Sequence, residues 1–114
     1  MEKNVEISIL LEIYGKLLTE KQLEILTDYY NNDLSLSEIA ENNNITRQAV
    51  RDIIKKGENK LFELEEKLLI MKKMLKQDKV LQEVFSELAK LQSVASDKKV
   101  EKIINHVRKE LSQI

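Results

Sequence analysis

Residues 35–56 decide the fold of this chain, and they read SLSEIAENNNITRQAVRDIIKK. Ser35 and Glu38 form the capping-box pattern that begins a helix, because each side chain can bond the backbone N–H of the other residue. Asn44 follows at a turn position that needs left-handed backbone, which asparagine tolerates better than most residues. Thr46 is then the N-cap of a second helix. Two helices joined by so tight a turn predict a helix-turn-helix, a motif that reads DNA.

The apolar spacing around the turn favours the same motif. Ala40 lies in the middle of the first helix, where only a small side chain lets the second helix approach. Four branched apolar residues are spaced to meet in the crevice between the helices: Ile39, Ile45, Val50 and Ile53. Asn43 departs from the pattern, since an apolar residue that reaches the core is expected there. We therefore expect weaker packing at the end of the first helix.

The second helix of the motif is the candidate recognition helix, and its exposed face is basic. Arginine can bond guanine bidentately and glutamine can bond adenine. The base-reading candidates are Arg47, Gln48 and Arg51. Lysines neutralise phosphate, and a helix N-terminus with its capping hydroxyl offers phosphate further donors. The phosphate-contacting candidates are Thr46, Lys55, Lys56 and Lys60. The alternative is that these side chains only solvate an exposed helix.

The charge distribution agrees with that assignment. The net charge of the 114-residue chain is −1, yet residues 46–60 contain five basic and two acidic residues. Residues 1–45 contain three lysines and nine acidic residues, whereas residues 61–114 contain eleven basic and nine acidic residues. The densest positive segment is thus the one that contains the candidate recognition helix.

Composition argues against several classes of protein. The absence of cysteine excludes disulfides and thiolate metal sites. No apolar run approaches the roughly 20 residues that cross a bilayer, and no signal-peptide pattern begins the chain, so we expect a cytoplasmic protein without a membrane partner. His106 is the only histidine, and no Ser-His-Asp set, phosphate-binding glycine loop or metal-ligand cluster occurs. We expect no catalytic residue, no metal, no cofactor and no enzyme activity.

The rest of the chain predicts further helices, which makes the fold class all-α. Proline is absent and there are only two glycines. A first helix is expected over about Asn4 to Leu17. Its core-facing stripe, widened by Leu10, has four apolar residues at a spacing of four: Val5, Ile9, Ile13 and Leu17. Thr19 and Gln22 form a capping box that begins the next helix.

Beyond the motif, the recognition helix is expected to continue through Gly57 to about Gln77. Helices over about 79–92 and 98–112 then form a C-terminal pair, with a turn over 93–97 and a cap at Ser96 or Asp97. The predicted organisation is a helix-turn-helix domain, residues 1–76, that includes the long helix, and a C-terminal helical hairpin, residues 77–114.

A heptad seam follows Gly57, because apolar residues recur at alternating spacings of three and four. Its members are Leu61, Leu64, Leu68, Met71 and Leu75. The seam can be covered by the last two helices folding back, or it can pair with a second copy. A helix of about thirty residues is too long for so small a domain to bury. The prediction therefore favours a homodimer built from the long helix and the C-terminal pair.

Three sequence segments at fixed spacing are typical of a known family: LLTEKQ at residues 17–22, YYNNDLSLSEIAE at 29–41 and ITRQAV at 45–50. Together with positions up to Leu68, they resemble the signature of the YlxM family of small bacterial proteins over about residues 5–70. Arg51 departs from that pattern, in which an aromatic residue is expected. The resemblance implies a fold similar to region 4 of sigma factors, which reads the −35 promoter element. The family is encoded beside the signal recognition particle GTPases, so the resemblance also implies a part in that pathway.

Two functional hypotheses follow. The first is a non-enzymatic, DNA-binding regulator of transcription, linked through the family resemblance to the signal recognition particle pathway. The second is a protein-interaction adaptor of the signal recognition particle machinery that does not bind DNA specifically. The acidic first 45 residues favour the adaptor, because they would repel nucleic acid near the recognition helix. The partners expected are DNA, signal recognition particle components and a second copy of the chain.

Overall fold

The structure is a computed structural model that describes residues 1–94 and 97–113. Within these ranges the chain forms six α-helices, a short 3₁₀ turn at Gly15–Leu17 and no strand, which confirms the all-α prediction. The helices are α1 (Lys3–Tyr14), α2 (Glu20–Tyr30), α3 (Leu36–Asn43), α4 (Arg47–Leu68), α5 (Ile70–Val94) and α6 (Lys98–Leu111). None of these helices combines the length and apolar character that crossing a bilayer requires.

Local capping sets the starts of α2 and α3. Before α2, the Thr19 hydroxyl accepts from the Gln22 amide while the Gln22 side chain accepts from the Thr19 amide, both at 3.1 Å. Before α3, Ser35 and Glu38 make the same reciprocal pair at 3.1 and 3.2 Å. Both predicted capping boxes are therefore confirmed, and each satisfies two helix N–H groups that have no partner within the helix.

The chain forms two compact units, Met1–Met71 and Lys72–Ile114. In the first unit, α1 to α4 enclose one hydrophobic core. Its fully buried large side chains are Ile7, Leu10, Tyr14, Ile25, Leu26, Ile39, Val50 and Leu61. Because every helix of the unit contributes to this core, the position of α4 is determined by contacts with the other three.

The buried face of α1 differs from the predicted stripe. Val5 and Leu17 are 49% and 60% exposed. Leu10 is buried as predicted, and Ile13 packs against the core. The rest of the core side is formed by Ile7, Leu11 and Tyr14, which the predicted stripe did not include. Apolar residues occur on both sides of this segment, so a spacing of four did not identify the face that packs. The helix also ends at Tyr14, before the predicted end, because the chain tightens into the 3₁₀ turn.

The prediction that the recognition helix continues to about Gln77 is wrong. The α4 helix ends at Leu68, and Leu69 adopts left-handed backbone with φ 56°. The next helix begins at once and runs over Ile70–Val94, so the segment predicted as a separate helix over 79–92 lies inside α5. The heptad seam is interrupted as well: Leu61, Leu64 and Met71 belong to the core or pack against it, whereas Leu68 and Leu75 are exposed.

Tertiary hydrogen bonds explain why α4 ends where it does. The Glu65 carboxylate accepts from the Tyr14 hydroxyl at 2.8 Å and from the Met71 amide at 3.0 Å. The Tyr14 hydroxyl in turn accepts from the Ile70 amide at 3.2 Å. The first N–H groups of α5 thus find acceptors outside their own helix, which compensates for the interrupted α-helical pattern.

The second unit contains most of α5, together with α6. Asp97 caps α6, and its carboxylate accepts from the Lys99 amide at 2.9 Å, which confirms one of the two predicted caps. Ser96, the other predicted cap, lies outside the described residues, as does part of the predicted turn over 93–97. The predicted division of the chain at residues 76–77 stays a prediction.

Candidate nucleic-acid interface

The turn between α3 and α4 has the geometry that the sequence predicts. Asn44 lies in the left-handed region with φ 54° and ψ 42°. Its amide donates to the Glu41 carbonyl at 3.3 Å, and the Ile45 amide donates to the Ala40 carbonyl at 3.1 Å. These two bonds use carbonyls that the end of α3 would otherwise leave without partners. The chain then reverses into α4 within three residues.

The predicted crevice is also present. Ile39 and Val50 are fully buried, and Ala40 is buried beside them. Ile45 and Ile53 pack against the same core and are half-buried. Close approach of α3 and α4 therefore rests on the residues expected from their spacing, and it projects the N-terminal half of α4 with one face in solvent.

Asn43, by contrast, does not weaken the end of α3. The side chain is half-buried, and its Nδ2 donates to the Ile39 carbonyl at 2.8 Å. Its Oδ1 accepts from Lys21 Nζ at 2.9 Å. The amide thus replaces apolar packing with two hydrogen bonds, one of which ties α2 to the end of α3. The expectation of weaker packing is corrected by these contacts.

All seven predicted site residues are exposed, and five of them form two rows on the helix. Arg47, Arg51 and Lys55 recur every four residues and share one side of α4. Lys56 and Lys60 form a second row, roughly 100° further round the helix. Lys60 is also roughly 20 Å from Arg47 along the axis at 1.5 Å per residue. The structure therefore brings the first row together near the helix N-terminus and leaves Lys60 at the far end.

Arg47 reaches back to α3, a contact that the sequence did not predict. Its Nη1 donates to the Ser37 hydroxyl at 3.2 Å. This bond crosses the motif, because Ser37 lies in the first turn of α3 and Arg47 in the first turn of α4. It holds the guanidinium beside the turn, with its remaining donors available to a ligand.

Gln48 already has a hydrogen-bond partner. Its Nε2 donates to the Asp52 carboxylate at 3.1 Å, one turn along the exposed face. To bond adenine bidentately, the amide would have to exchange this partner for the base. Asp52 also places a negative charge among the basic residues, so it opposes phosphate binding close to its own carboxylate.

Thr46 serves as the predicted N-cap. Its Oγ1 accepts from the Ala49 amide at 3.0 Å, which leaves the hydroxyl proton able to donate. The first N–H groups of α4 point in the same direction, and the positive end of the helix dipole lies there. This corner of the molecule can therefore bind a phosphate beside the Arg47 side chain.

Arg51 and Lys55 also line an open groove of about 420 Å³. The rings and aliphatic side chains of the groove belong to Tyr29, Tyr30, Leu36 and Ile54. The adjacent tyrosines are visible in the sequence of an aromatic-poor chain, but only the fold places them beside the basic row. Sequence reasoning did not identify this groove.

Glu58 lies in the same groove and is already engaged. It accepts a hydrogen bond from the Tyr30 hydroxyl and forms an ion pair with Lys3 at 3.2 Å. Burial, followed by the neighbouring Glu58 carboxylate, raises the pKa of Tyr30 well above its usual value near 10. The Tyr30 hydroxyl is therefore neutral at physiological pH and acts as an anchor. No group of three or more histidine, aspartate or glutamate residues in the described ranges is arranged to hold a metal ion.

Three features define the class: a tight turn with left-handed Asn44, an apolar crevice where Ala40 allows close helix packing, and a projecting basic helix. This is an all-α helix-turn-helix protein. The chain belongs to the UPF0122 family, described as "Putative helix-turn-helix protein, YlxM / p13 like", whose pattern matches residues 1–107. The predicted family resemblance is thereby confirmed.

Similar proteins occur in several bacteria. The UPF0122 protein of Clostridium perfringens (strain SM101 / Type A) is 45% identical over 111 residues, which covers 92% of this chain and 99% of that protein. The UPF0122 protein of Fusobacterium nucleatum is 45% identical over 109 residues, covering 94% and 97%. That of Acetivibrio thermocellus is 40% identical over 114 residues, covering 100% and 97%.

Proposed function

We propose that this protein is a non-enzymatic regulator that binds DNA by placing the N-terminal half of α4 in the major groove. The observation that carries the proposal is the row formed by Arg47, Arg51 and Lys55, exposed on the helix that follows the left-handed turn. The major groove is about 12 Å wide and admits an α-helix. A basic row near the start of such a helix meets base edges first and phosphates further along.

The contacts assign different parts to these residues. The bond to Ser37 orients Arg47 before DNA arrives, which lowers the entropy cost of ordering its side chain. Arg51 is exposed one turn later on the same row and can bond guanine. In this proposal Thr46 and Lys55 contact phosphate, and Lys56 and Lys60 add charge from the second row. Gln48 reads a base only after it releases Asp52.

The second unit favours self-association. Within its described part, residues 72–94 and 97–113, Ile104 is the single hydrophobic side chain that is buried. The exposed apolar residues in this part are Met74, Leu75, Val80, Leu91, Val94, Ile103 and Val107. A pair of helices this small seldom buries enough surface to be stable alone. A second copy of the chain would cover these exposed apolar residues and present two recognition helices to DNA.

The family resemblance links this regulator to the signal recognition particle pathway. The competing candidate is an adaptor that docks on proteins of that particle, and the nine acidic residues among the first 45 favour it. A pull-down from lysate, with and without nuclease, separates the two. Retention of signal recognition particle proteins after nuclease treatment supports the adaptor, whereas loss of that retention supports an association through nucleic acid.

Anisotropy of labelled random-sequence and genomic DNA, measured across salt concentrations, tests the DNA proposal. We expect salt-sensitive binding tighter than about 100 µM. Lys56→Ala should weaken binding equally for all sequences and reduce the salt slope by about 1. Arg47→Ala and Gln48→Ala should alter sequence preference, whereas Lys109→Ala in α6 is a charge-matched control. Unchanged binding in all the α4 variants would overturn the assignment.

A further inference from the structure

The open groove beside α4 has an apolar floor and a basic rim. The floor is formed by Tyr29, Leu36 and Ile54, and the rim by Arg51 and Lys55. These residues come from α2, α3 and α4, so the groove exists only in the folded first unit. Tyr30 also lines the groove, and its hydroxyl is bonded to Glu58.

The floor is held by contacts with its neighbours, although part of it is exposed. Tyr29 is 37% exposed, and its ring packs edge-to-face against Tyr30 with centroids 5.0 Å apart. Tyr30 cannot move freely, because its hydroxyl is bonded to Glu58 and Glu58 is paired with Lys3. A ligand side chain would therefore enter a preformed surface and would not have to order it first, which favours affinity.

The rim has uncompensated positive charge. Arg51 and Lys55 make no hydrogen bond or ion pair with any of the residues described. The one acidic residue in the groove, Glu58, is offset by Lys3 at 3.2 Å. Two free cations beside an apolar floor thus favour a ligand that combines carboxylates with an apolar side chain.

We propose that this groove docks a short acidic peptide segment of a partner protein. One apolar or aromatic side chain of the segment lies on Tyr29, Leu36 and Ile54, and neighbouring carboxylates pair with Arg51 and Lys55. The groove is open to solvent, so a small molecule would keep much of its surface hydrated, whereas pockets for such ligands enclose them. A peptide gains further contacts along the groove, and a floor of one ring and two aliphatic side chains suits an apolar side chain better than a run of stacked bases.

Docking has a consequence for the proposed function. Arg51 and Lys55 are candidates for DNA as well as for the acidic segment, so the two ligands would exclude each other. Peptide docking itself does not require that the protein bind DNA, whereas the competition rests on the proposed DNA binding. An acidic partner would thereby release the regulator from DNA, because its carboxylates would occupy the cations that DNA otherwise contacts.

The test begins with a phage-displayed library of random peptides of about 12 residues, selected on the full-length protein. Peptides that bind are then synthesised with a fluorescent label, and their affinities are measured by anisotropy for the wild type and three variants. We expect the selected peptides to contain two or more acidic residues around an apolar one. Tyr29→Ala and Arg51→Glu should each weaken binding at least about tenfold, equivalent to about 1.4 kcal/mol.

Asn59→Ala is the control, because Asn59 is exposed on α4, lies outside the groove and should leave peptide affinity unchanged. Circular dichroism and thermal melting check that the variants fold. Failure to select acidic peptides overturns the proposal, and so does an affinity that Tyr29→Ala leaves unchanged. Tighter Tyr29-dependent binding of a labelled single-stranded oligonucleotide also overturns it. Addition of the peptide to a DNA complex tests competition separately, so a failure of DNA binding does not obscure the result.

Discussion

The hydroxyl of Tyr14 donates a hydrogen bond of 2.8 Å to the carboxylate of Glu65, 51 positions further along the chain. The same hydroxyl accepts from the Ile70 amide. Tyr14 thus joins the end of α1 to the end of α4 and to the start of α5. The α4 helix is held at both ends, by the Thr46 cap at its start and by this contact near its end.

Replacement of Tyr14 by phenylalanine should destabilise the first unit. The change keeps the buried ring but removes the hydroxyl, so the Ile70 amide and the Glu65 carboxylate each lose a partner. We expect the free energy of unfolding to fall by about 1–3 kcal/mol, as measured by urea denaturation. Tyr29→Phe is the control, because it removes a hydroxyl from an exposed ring. An equal effect in the two variants would mean that the Tyr14 contact contributes nothing specific.

Stability should also decline at alkaline pH because of two tyrosines. Burial, then the hydrogen bond to Glu65, raises the pKa of Tyr14, and burial, then Glu58, raises that of Tyr30. In the unfolded chain both ionise near pH 10. Above that pH the unfolded state binds fewer protons than the folded state, so the free energy of unfolding falls as pH rises. Below it the contribution of these two groups is constant.

The Tyr30→Phe variant isolates this effect. Urea titrations at several pH values between about 9 and 11.5 should give a shallower decline for Tyr30→Phe than for the wild type, because one of the linked protons is gone. A decline as steep as that of the wild type would show that the Tyr30 proton is not linked to folding.

Gly57→Ala should destabilise the protein although alanine is the better helix former. Gly57 is buried in the middle of α4, and an added Cβ would overlap Leu26 Cδ1 and lie 3.2 Å from its Cγ. Leu26 is itself fully buried, so it has little room to move. Overpacking costs about 1–3 kcal/mol, and a site with so little room lies toward the upper end of that range. This cost exceeds the gain of about 1 kcal/mol that alanine brings through its helix propensity.

We therefore expect a net loss of about 1 kcal/mol in the free energy of unfolding of Gly57→Ala. Asn59→Ala, at an exposed position two residues further along α4, should be neutral or slightly stabilising. Thermal and urea denaturation of both variants measure the difference. A Gly57→Ala protein more stable than the wild type would show that α2 and α4 do not approach as closely as described.

Self-association should depend on the exposed apolar residues of α6, Ile103 and Val107. Ile103 is 63% exposed, so Ile103→Asp removes no core contact from the second unit but places a charge on the proposed dimer surface. Sedimentation velocity should show a dimer for the wild type and a monomer for Ile103→Asp. Lys102→Asp introduces the same side chain at an exposed polar position and should remain dimeric. A wild-type monomer at concentrations up to about 100 µM would refute the dimer.

Much of the motif could be predicted because its signals are local. The capping boxes at Ser35 and Thr19, the left-handed turn at Asn44 and the cap at Thr46 each involve residues within four positions of one another. Their geometry is therefore nearly independent of the rest of the chain. The exposure of the seven candidate residues also followed from helical spacing, because the opposite side of α4 is apolar.

The errors arose where several helices compete for one core. The apolar residues of α1 are compatible with more than one buried face, and only packing against α2 and α4 selects the side of Ile7 and Leu11. No proline or glycine marks the end of α4. The break at Leu69 is stabilised by Tyr14, a residue more than fifty positions earlier in the chain. Periodicity within a single segment contains no information about such a partner.

By itself, then, the sequence determined the all-α class, the helix-turn-helix and the basic character of the recognition helix. Tertiary structure alone decided the end of that helix, the bond from Arg47 to Ser37, and the groove that places Tyr29 beside Arg51. The physical reason is the range of the interactions. Caps and turns are governed by neighbours along the chain, whereas a groove or a long-range hydrogen bond exists only after separate helices pack together.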